Sequence, residues 1–231
     1  MIEEIEFKDK VRIFDDRSHA GRLLADKLID YTNKNAVILA IPAGGAEVGM
    51  IIASRLGLPF DFVFTRKLHV PWNKEVGFGA VTWNGRVLLN ESLVRSLQLS
   101  ETEISDVIEE EKKNIESRVR RFKGDKSLIE VVGKKVIVVD DGIASGYSMY
   151  STLIGLREVG AKELIVAVPT ASIDAIDLIG PYADLIFCLN VRSSRFFAVA
   201  DAYKKWHDLP DEDVLKLLNK YKFNNQQIPK K

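Results

Sequence analysis

Short apolar runs, each breaking off at a loop that leads into an amphipathic segment, set the tightest limit on how this chain can fold. They are AVILAI at 36–41, KVIVV at 135–139, ELIVAVP at 163–169 and DLIFCL at 184–189, with FDFVFT at 60–65 as a fifth. Runs of that length with no wet face, bounded by glycine or proline, read as strands buried on both sides. The segments between them have helical spacing. Residues 18–31 put Ala20, Leu23, Leu24, Leu28 and Tyr31 on one face, with Ser18 as the expected N-cap; 46–57 stops at Gly57; 147–160 follows a glycine-rich loop. Strand–helix alternation predicts an α/β fold with a doubly wound parallel sheet. Right-handed crossovers place the strand-to-helix loops on one edge, where such sheets bind ligands. The loops of interest are therefore 42–45, 66–75, 140–148, 169–172 and 190–197.

Residues 68–134 follow a different pattern. VGFGAVTWNGRVLLN at 76–90 predicts a β-hairpin turning at Asn84-Gly85. Ser100 and Glu103 form a capping-box signature that opens a long charged helix to about Phe122. Its apolar stripe is Ile104, Val107, Ile108, Ile115, Val119 and Phe122. The expected organisation is a core of 1–67 with 135–223, a hood subdomain over 68–134 and a frayed tail at 224–231. The segment AVADAYKKW near the end reads as helical, as does DEDVLKLLNKY.

Charge and cysteine content bound the function. In 231 residues, 33 basic side chains cancel 33 acidic ones, a balance that argues against nucleic-acid binding. Cys188 is the one cysteine, so no internal disulfide forms. The N-terminus lacks a signal-peptide pattern, and no apolar run reaches the ~18 residues of a membrane span. A cytoplasmic setting, with no membrane partner, is expected.

The chemistry concentrates in VVDDGIASGYS, residues 138–148. A buried strand ends in two carboxylates, and a loop of small residues then runs into a helix. Backbone N–H groups, the hydroxyls of Ser145 and Ser148 and the helix N-terminus make a phosphate cradle. Two carboxylates beside a phosphate fit a ligand that also carries sugar hydroxyls or a cation. The Walker pattern and the dinucleotide fingerprint are both absent from this stretch.

This stretch closely resembles the phosphoribosyl-pyrophosphate (PRPP) motif of type I phosphoribosyltransferases. The resemblance implies that Asp140 and Asp141 hold the ribose hydroxyls while Gly142, Ala144, Ser145, Gly146, Tyr147 and Ser148 form the 5′-phosphate loop. Pro42-Ala43-Gly44-Gly45 looks like the family's pyrophosphate loop, with Ala43, Gly44 and Gly45 facing the diphosphate. Arg66 and Lys67 supply cations for the leaving group. TRKLHVPWNKEVGFGAV at 65–81 and FFAVADAYKKWHDLPDEDV at 196–214 resemble a poorly characterised bacterial and archaeal group of these proteins. Three positions depart from the family pattern: Ser145 replaces the usual Thr, Tyr147 is bulky, and Ala144 stands where oxopurine-using members carry Asp.

The resemblance implies transfer of phosphoribose from PRPP to a nitrogen acceptor, a nucleobase by expectation, with release of pyrophosphate. It also implies Mg²⁺ carried by PRPP without dedicated protein ligands, and a homodimer. Phe196 and Phe197 are candidates for the acceptor site by position, and Glu75 or His69 for a general base. The alternative is a PRPP-binding sensor without turnover.

Overall fold

In the computed structural model, which describes residues 2–3, 7–124, 129–194 and 196–226, the chain forms two sheets. The larger has six parallel strands: β1 (Ile2–Glu3), β2 (Ala36–Ala40), β3 (Phe60–Phe62), β7 (Lys135–Val139), β8 (Glu163–Ser172) and β9 (Leu185–Arg192). Their order is β1-β9-β8-β7-β2-β3. The chain steps outward from β2 to β3, then returns to the other side of β2 as β7. That reversal makes the β2/β7 junction the topological switch point, where sheets of this kind open a crevice.

Each central strand is buried on both faces, as its unbroken apolar run requires. Val37 and Leu39 of β2 pack with α5 (Tyr147–Glu158) and α6 (Ile173–Ile179) on one face. Ala36 and Ile38 pack with α1 (Arg17–Lys27) and α2 (Gly45–Leu56) on the other. The second sheet is antiparallel, in the order β4-β5-β6: β4 (Thr65–Val70), β5 (Asn73–Thr82) and β6 (Val87–Leu89). The short α3 (Glu91–Ser96) and the long α4 (Glu101–Lys123) complete the hood. The Asn84-Gly85 turn and the Ser100–Glu103 capping box both form as expected.

Several expectations are corrected. The run 60–65 is not one strand: β3 ends at Phe62, and the second sheet begins at Thr65. Arg66 and Lys67 therefore belong to the hood sheet, and 66–75 is mostly strand rather than loop. Strands β8 and β9 outlast their apolar runs, because pairing resumes beyond Pro169 with Thr170, Ala171 and Ser172 beside Asn190, Val191 and Arg192. Helix α1 is capped by Asp16, whose carboxylate accepts from the N–H of His19; Ser18 lies inside the helix and bonds Glu47. Only Val199–Ala202 of the expected 198–206 helix is helical, as a 3₁₀ turn. Residues 12–15 take the backbone groups that a longer helix would need: Arg12 and Phe14 donate to Asp201 and Ala202, and Lys204 and Lys205 donate to Phe14 and Asp15. Helix α7 (Asp211–Gln226) runs through the start of the expected tail; 227–231 lie outside the described residues. Among the described residues, no helix is long and apolar enough to cross a membrane.

Hood and core share a packed seam. Phe62 and Phe64, at the end of the core sheet, meet Phe122 of α4 with ring centroids 5.3 and 5.9 Å apart. Lys123 pairs with Asp61, which also accepts from the N–H of Ile129. Replacing Phe122 by Ala removes a buried ring and is expected to cost about 3–5 kcal/mol. Urea unfolding followed by tryptophan fluorescence and by far-UV circular dichroism should show one coincident transition at lower denaturant. Two separate transitions would show that the hood unfolds independently of the core.

Candidate active site

The parallel pairing of β2 with β7 sets Ala40 beside Val139, so the loops that follow the two strands start side by side. Their contact is close. A Cβ on Gly45 would lie 2.5 Å from the carbonyl oxygen of Val139, and one on Gly44 would lie 2.2 Å from a carboxylate oxygen of Asp141. Glycine at both positions lets the 42–45 loop rest directly on the acidic loop. Gly142 is equally confined, since an added Cβ would meet Val199 at 2.5 Å and Thr170 at 2.9 Å. Gly146 has φ +83°, a left-handed conformation that favours glycine, and starts α5.

A cleft of about 500 Å³ opens above this junction, between core and hood. The core contributes Pro42, Ala43, Asp140 and Ser148; β4 and β5 contribute Thr65, Arg66, Lys67, His69 and Lys74; α4 contributes Glu110, Glu111, Asn114 and Arg118. The structure thus brings Ala43, Arg66, Lys67, Asp140 and Ser148 into one cleft. Ala144 and Ser145 are exposed nearby in chain order, and Tyr147 accepts a hydrogen bond from Asn90 Nδ2 at 2.9 Å, tying the start of α5 to the hood. Phe196 is 90% exposed, and neither it nor Phe197 lines the cleft. The side chain of Glu75 lies outside the described residues.

The two motif carboxylates have different surroundings. Asp140 faces the cleft, and burial together with the charge of Asp141 pushes its carboxyl well above the usual carboxylate range. A cation or a pair of hydroxyls brought to Asp140 would offset that penalty. Asp141 is buried beneath the 42–45 loop, where its carboxylate accepts from Arg17 Nε at 2.8 Å. Arg17 is itself buried; it also donates to the carbonyl of His207 at 2.9 Å and lies 4.0 Å from the ring centre of Trp206. Tyr203 donates its hydroxyl proton to the backbone carbonyl of Asp141 at 2.6 Å.

Opposite Asp140 stands Glu111, a buried carboxylate that the sequence reading missed. It accepts from Arg66 Nε at 2.8 Å and Asn114 Nδ2 at 3.1 Å, and lies 3.3 Å from His69 Nε2. Burial pushes its carboxyl up, but the bonds from Arg66 and Asn114 outweigh it and hold the group below the ordinary glutamate range. Its signal lay in the helical period. Glu111 falls four residues after Val107 and four before Ile115, inside the apolar stripe. His69, Glu110 and Glu111 are grouped closely enough to hold a metal ion, but Glu111 already serves Arg66 and Asn114.

Residues 13–199 match the family model of the phosphoribosyl transferase domain. The protein named "Putative phosphoribosyl transferase Rv0571c", from Mycobacterium tuberculosis H37Rv, is 33% identical over 210 residues. The corresponding protein of strain CDC 1551 matches equally. Each alignment covers 91% of this chain and 47% of the relative, so the chain spans about half the length of these relatives. The crystal structure of TT1426 from Thermus thermophilus superposes with a TM-score of 0.75 at 32% identity, over 90% of this chain and 98% of that one.

Because Glu111 is held ionised in the fold, it stabilises the protein above the ordinary glutamate pKa and loses that contribution as pH falls through its lowered value. Glu111→Gln should cost about 1–3 kcal/mol near neutral pH by leaving Arg66 and Asn114 poorly paired. In urea titrations the gap to the wild type should narrow toward about pH 4 and below. A gap independent of pH would remove the ion pair as its source.

Proposed function

Because this chain belongs to the phosphoribosyl transferase domain family, we propose that it transfers the 5-phosphoribosyl group of PRPP to a nitrogen acceptor, a nucleobase, and releases pyrophosphate. One observation carries the reading. The switch point sets the glycine loop 42–45 and the acidic loop 140–148 side by side beneath a cleft that holds Asp140 on one wall and Arg66 and Lys67 on another.

The roles follow from charge and position. The N–H groups of 144–148, at a helix start without intrahelical acceptors, take the 5′-phosphate with the hydroxyls of Ser145 and Ser148. Asp140 takes ribose hydroxyls. The 42–45 loop receives the diphosphate. As the C1–O bond to the diphosphate breaks and the C1–N bond forms, negative charge grows on the leaving group, and Arg66 and Lys67 face it. Glu111 fixes the Arg66 guanidinium in that orientation. The acceptor enters from the hood side, along His69, Glu111 and Asn114, and the proton its nitrogen loses goes to His69, the general-base candidate that lines the cleft, or to solvent. Mg²⁺ arriving with PRPP would supply charge neutralisation, and would need few protein ligands. Asp140, a cleft carboxylate that burial and the charge of Asp141 drive toward its neutral form, fits a site completed by that cation. The same reading places the protein in nucleotide metabolism, in the cytoplasm, as a homodimer.

Pyrophosphate release from Mg-PRPP should require a base from a pool of purines and pyrimidines, and splitting the pool should name the acceptor. Asp140→Asn is expected to lower kcat/KM by about a hundredfold, the scale of losing one preorganised charge-stabilising group, and chelation of Mg²⁺ to stop release. Absence of PRPP binding by the wild type would overturn the proposal.

A further inference from the structure

We propose that Tyr147 and Asn90 are positioning residues for the diphosphate end of PRPP: their hydrogen bond sets the hood cations Arg66 and Lys67 at a fixed distance from the 5′-phosphate loop. The inference rests on the phosphoribosyl-transfer reading and adds to it two side chains that do not line the cleft.

Helix α5 links the two ends of the site. Its first residues close the 5′-phosphate loop, and the hood sheet rests along one of its sides. At its start, Asn90 Nδ2 donates to the Tyr147 hydroxyl at 2.9 Å. Further along, the buried hydroxyls of Thr65 and Thr152 lie 2.9 Å apart. Thr152 gives its proton to the carbonyl of Ser148 at 2.8 Å, so Thr65 donates to Thr152. Near the far end, a Cβ added to Gly155 would lie 3.2 Å from the Trp83 ring, and Arg86 pairs with Glu158 at 3.4 Å.

Thr65, Trp83 and Arg86 thus fasten the sheet to the middle and far end of α5. The Asn90–Tyr147 bond fastens the hood at the phosphate end. Asn90 is committed on every side: its N–H donates to the carbonyl of Phe78 in β5, its Oδ1 caps α3 by accepting from Leu93, and its Nδ2 holds Tyr147. Strand β5 pairs in turn with β4, which carries Arg66 and Lys67. The Tyr147 ring stands edge-on to Tyr150 at 6.5 Å, and Tyr150 to Tyr182 at 4.7 Å, so the phenol is braced from behind. The bulky residue at this position thereby does two things. Its backbone N–H faces the phosphate, and its side chain reaches the hood. PRPP spans both ends with one molecule, whereas ribose 5-phosphate occupies the core end alone. The two ligands therefore separate placement of the hood from integrity of the phosphate cradle.

Affinities for Mg-PRPP and for ribose 5-phosphate, measured by calorimetry in the same Mg²⁺ buffer, test the proposal. Asn90→Ser keeps a capping oxygen for α3 but is too short to reach Tyr147. It should weaken PRPP about fivefold to tenfold, the scale of one hydrogen bond, and leave ribose 5-phosphate within about twofold of the wild type. Tyr147→Phe should shift the ratio of the two affinities by the same factor, and the double variant should shift it no further than either single one. Equal losses for both ligands in Asn90→Ser would show that the bond supports the phosphate cradle instead. Unchanged affinities would show that it positions nothing, and losses that add in the double variant that the two residues act separately. Each of these results would overturn the proposal.

Hydrogen exchange in the peptide spanning 65–74, without ligand, provides an independent arm. It should be faster in either single variant than in the wild type. If one single variant does not fold, the other still reads both quantities. If the wild type fails to bind PRPP, the transfer reading falls, and exchange alone decides the positioning pair: an unchanged rate in both variants would overturn it.

Discussion

The pairing of β2 with β7 is the constraint on which the rest of the ligand edge depends. These strands are separated by nearly a hundred residues of chain, yet their ends are adjacent because the sheet order reverses between them. Parallel pairing aligns their carboxyl ends, so two loops emerge together and compete for the same space. Gly44 and Gly45 resolve that competition, since each sits where a Cβ would collide with the facing loop. A larger residue at either position would separate the loops and widen the floor of the cleft. The fold thus brings two ordinary strand ends together, and the glycines let the two loops approach closely beneath the cleft.

Charge pairs with at least one buried partner then fix what packing alone leaves free. Arg17–Asp141 ties α1 to the acidic loop, Arg66–Glu111 ties β4 to α4, and Lys123–Asp61 ties α4 to the core sheet. Pairs that bury a charge are poor sources of stability, because desolvation consumes much of the attraction. They are demanding in direction, however. All three connect elements whose relative placement shapes the cleft. The environments also drive two of the cleft carboxylates apart. Asp140, near another carboxylate, is pushed toward its neutral form, and Glu111, near a guanidinium and an amide, is held ionised. Opposite walls of one cleft therefore differ in what they attract: Asp140 gains from a cation or hydroxyls, whereas Glu111 is already satisfied and orients Arg66.

The core was legible because burial on both faces leaves an unmistakable trace: β2 and β7 stand where apolar runs occur, and the acidic loop follows the second of them. Local signals of the hood were legible for the same kind of reason, since an Asn-Gly turn and a capping box act within a few residues. What escaped the sequence was set by distant partners. Phe62 and Thr65 fall in one apolar run, but two different sheets claim its ends. Residues 198–206 have helical periodicity, but the N-terminal segment takes their backbone bonds. Arg17 is an unremarked basic residue at a helix start until the fold sets it beside Asp141. Glu111 is one glutamate in a run of three, separated from its neighbours only by the face of α4 on which it falls.

The different fates of Asp140 and Asp141 follow from their adjacency. Successive side chains at a strand end point to opposite faces of the sheet. Along β7, Val138 belongs to the face covered by α5 and α6, and Val139 to the face covered by α1 and α2. Continued past the strand, that alternation sends Asp140 toward α5 and the hood, and Asp141 toward α1, where Arg17, Tyr203 and Trp206 wait. The backbone N–H of Asp141 donates to the Asp140 carboxylate at 2.8 Å, which holds the first side chain against the turn while the second passes beneath it. The alternation is kept past the strand, so Asp140 lines the cleft while Asp141 pairs with Arg17.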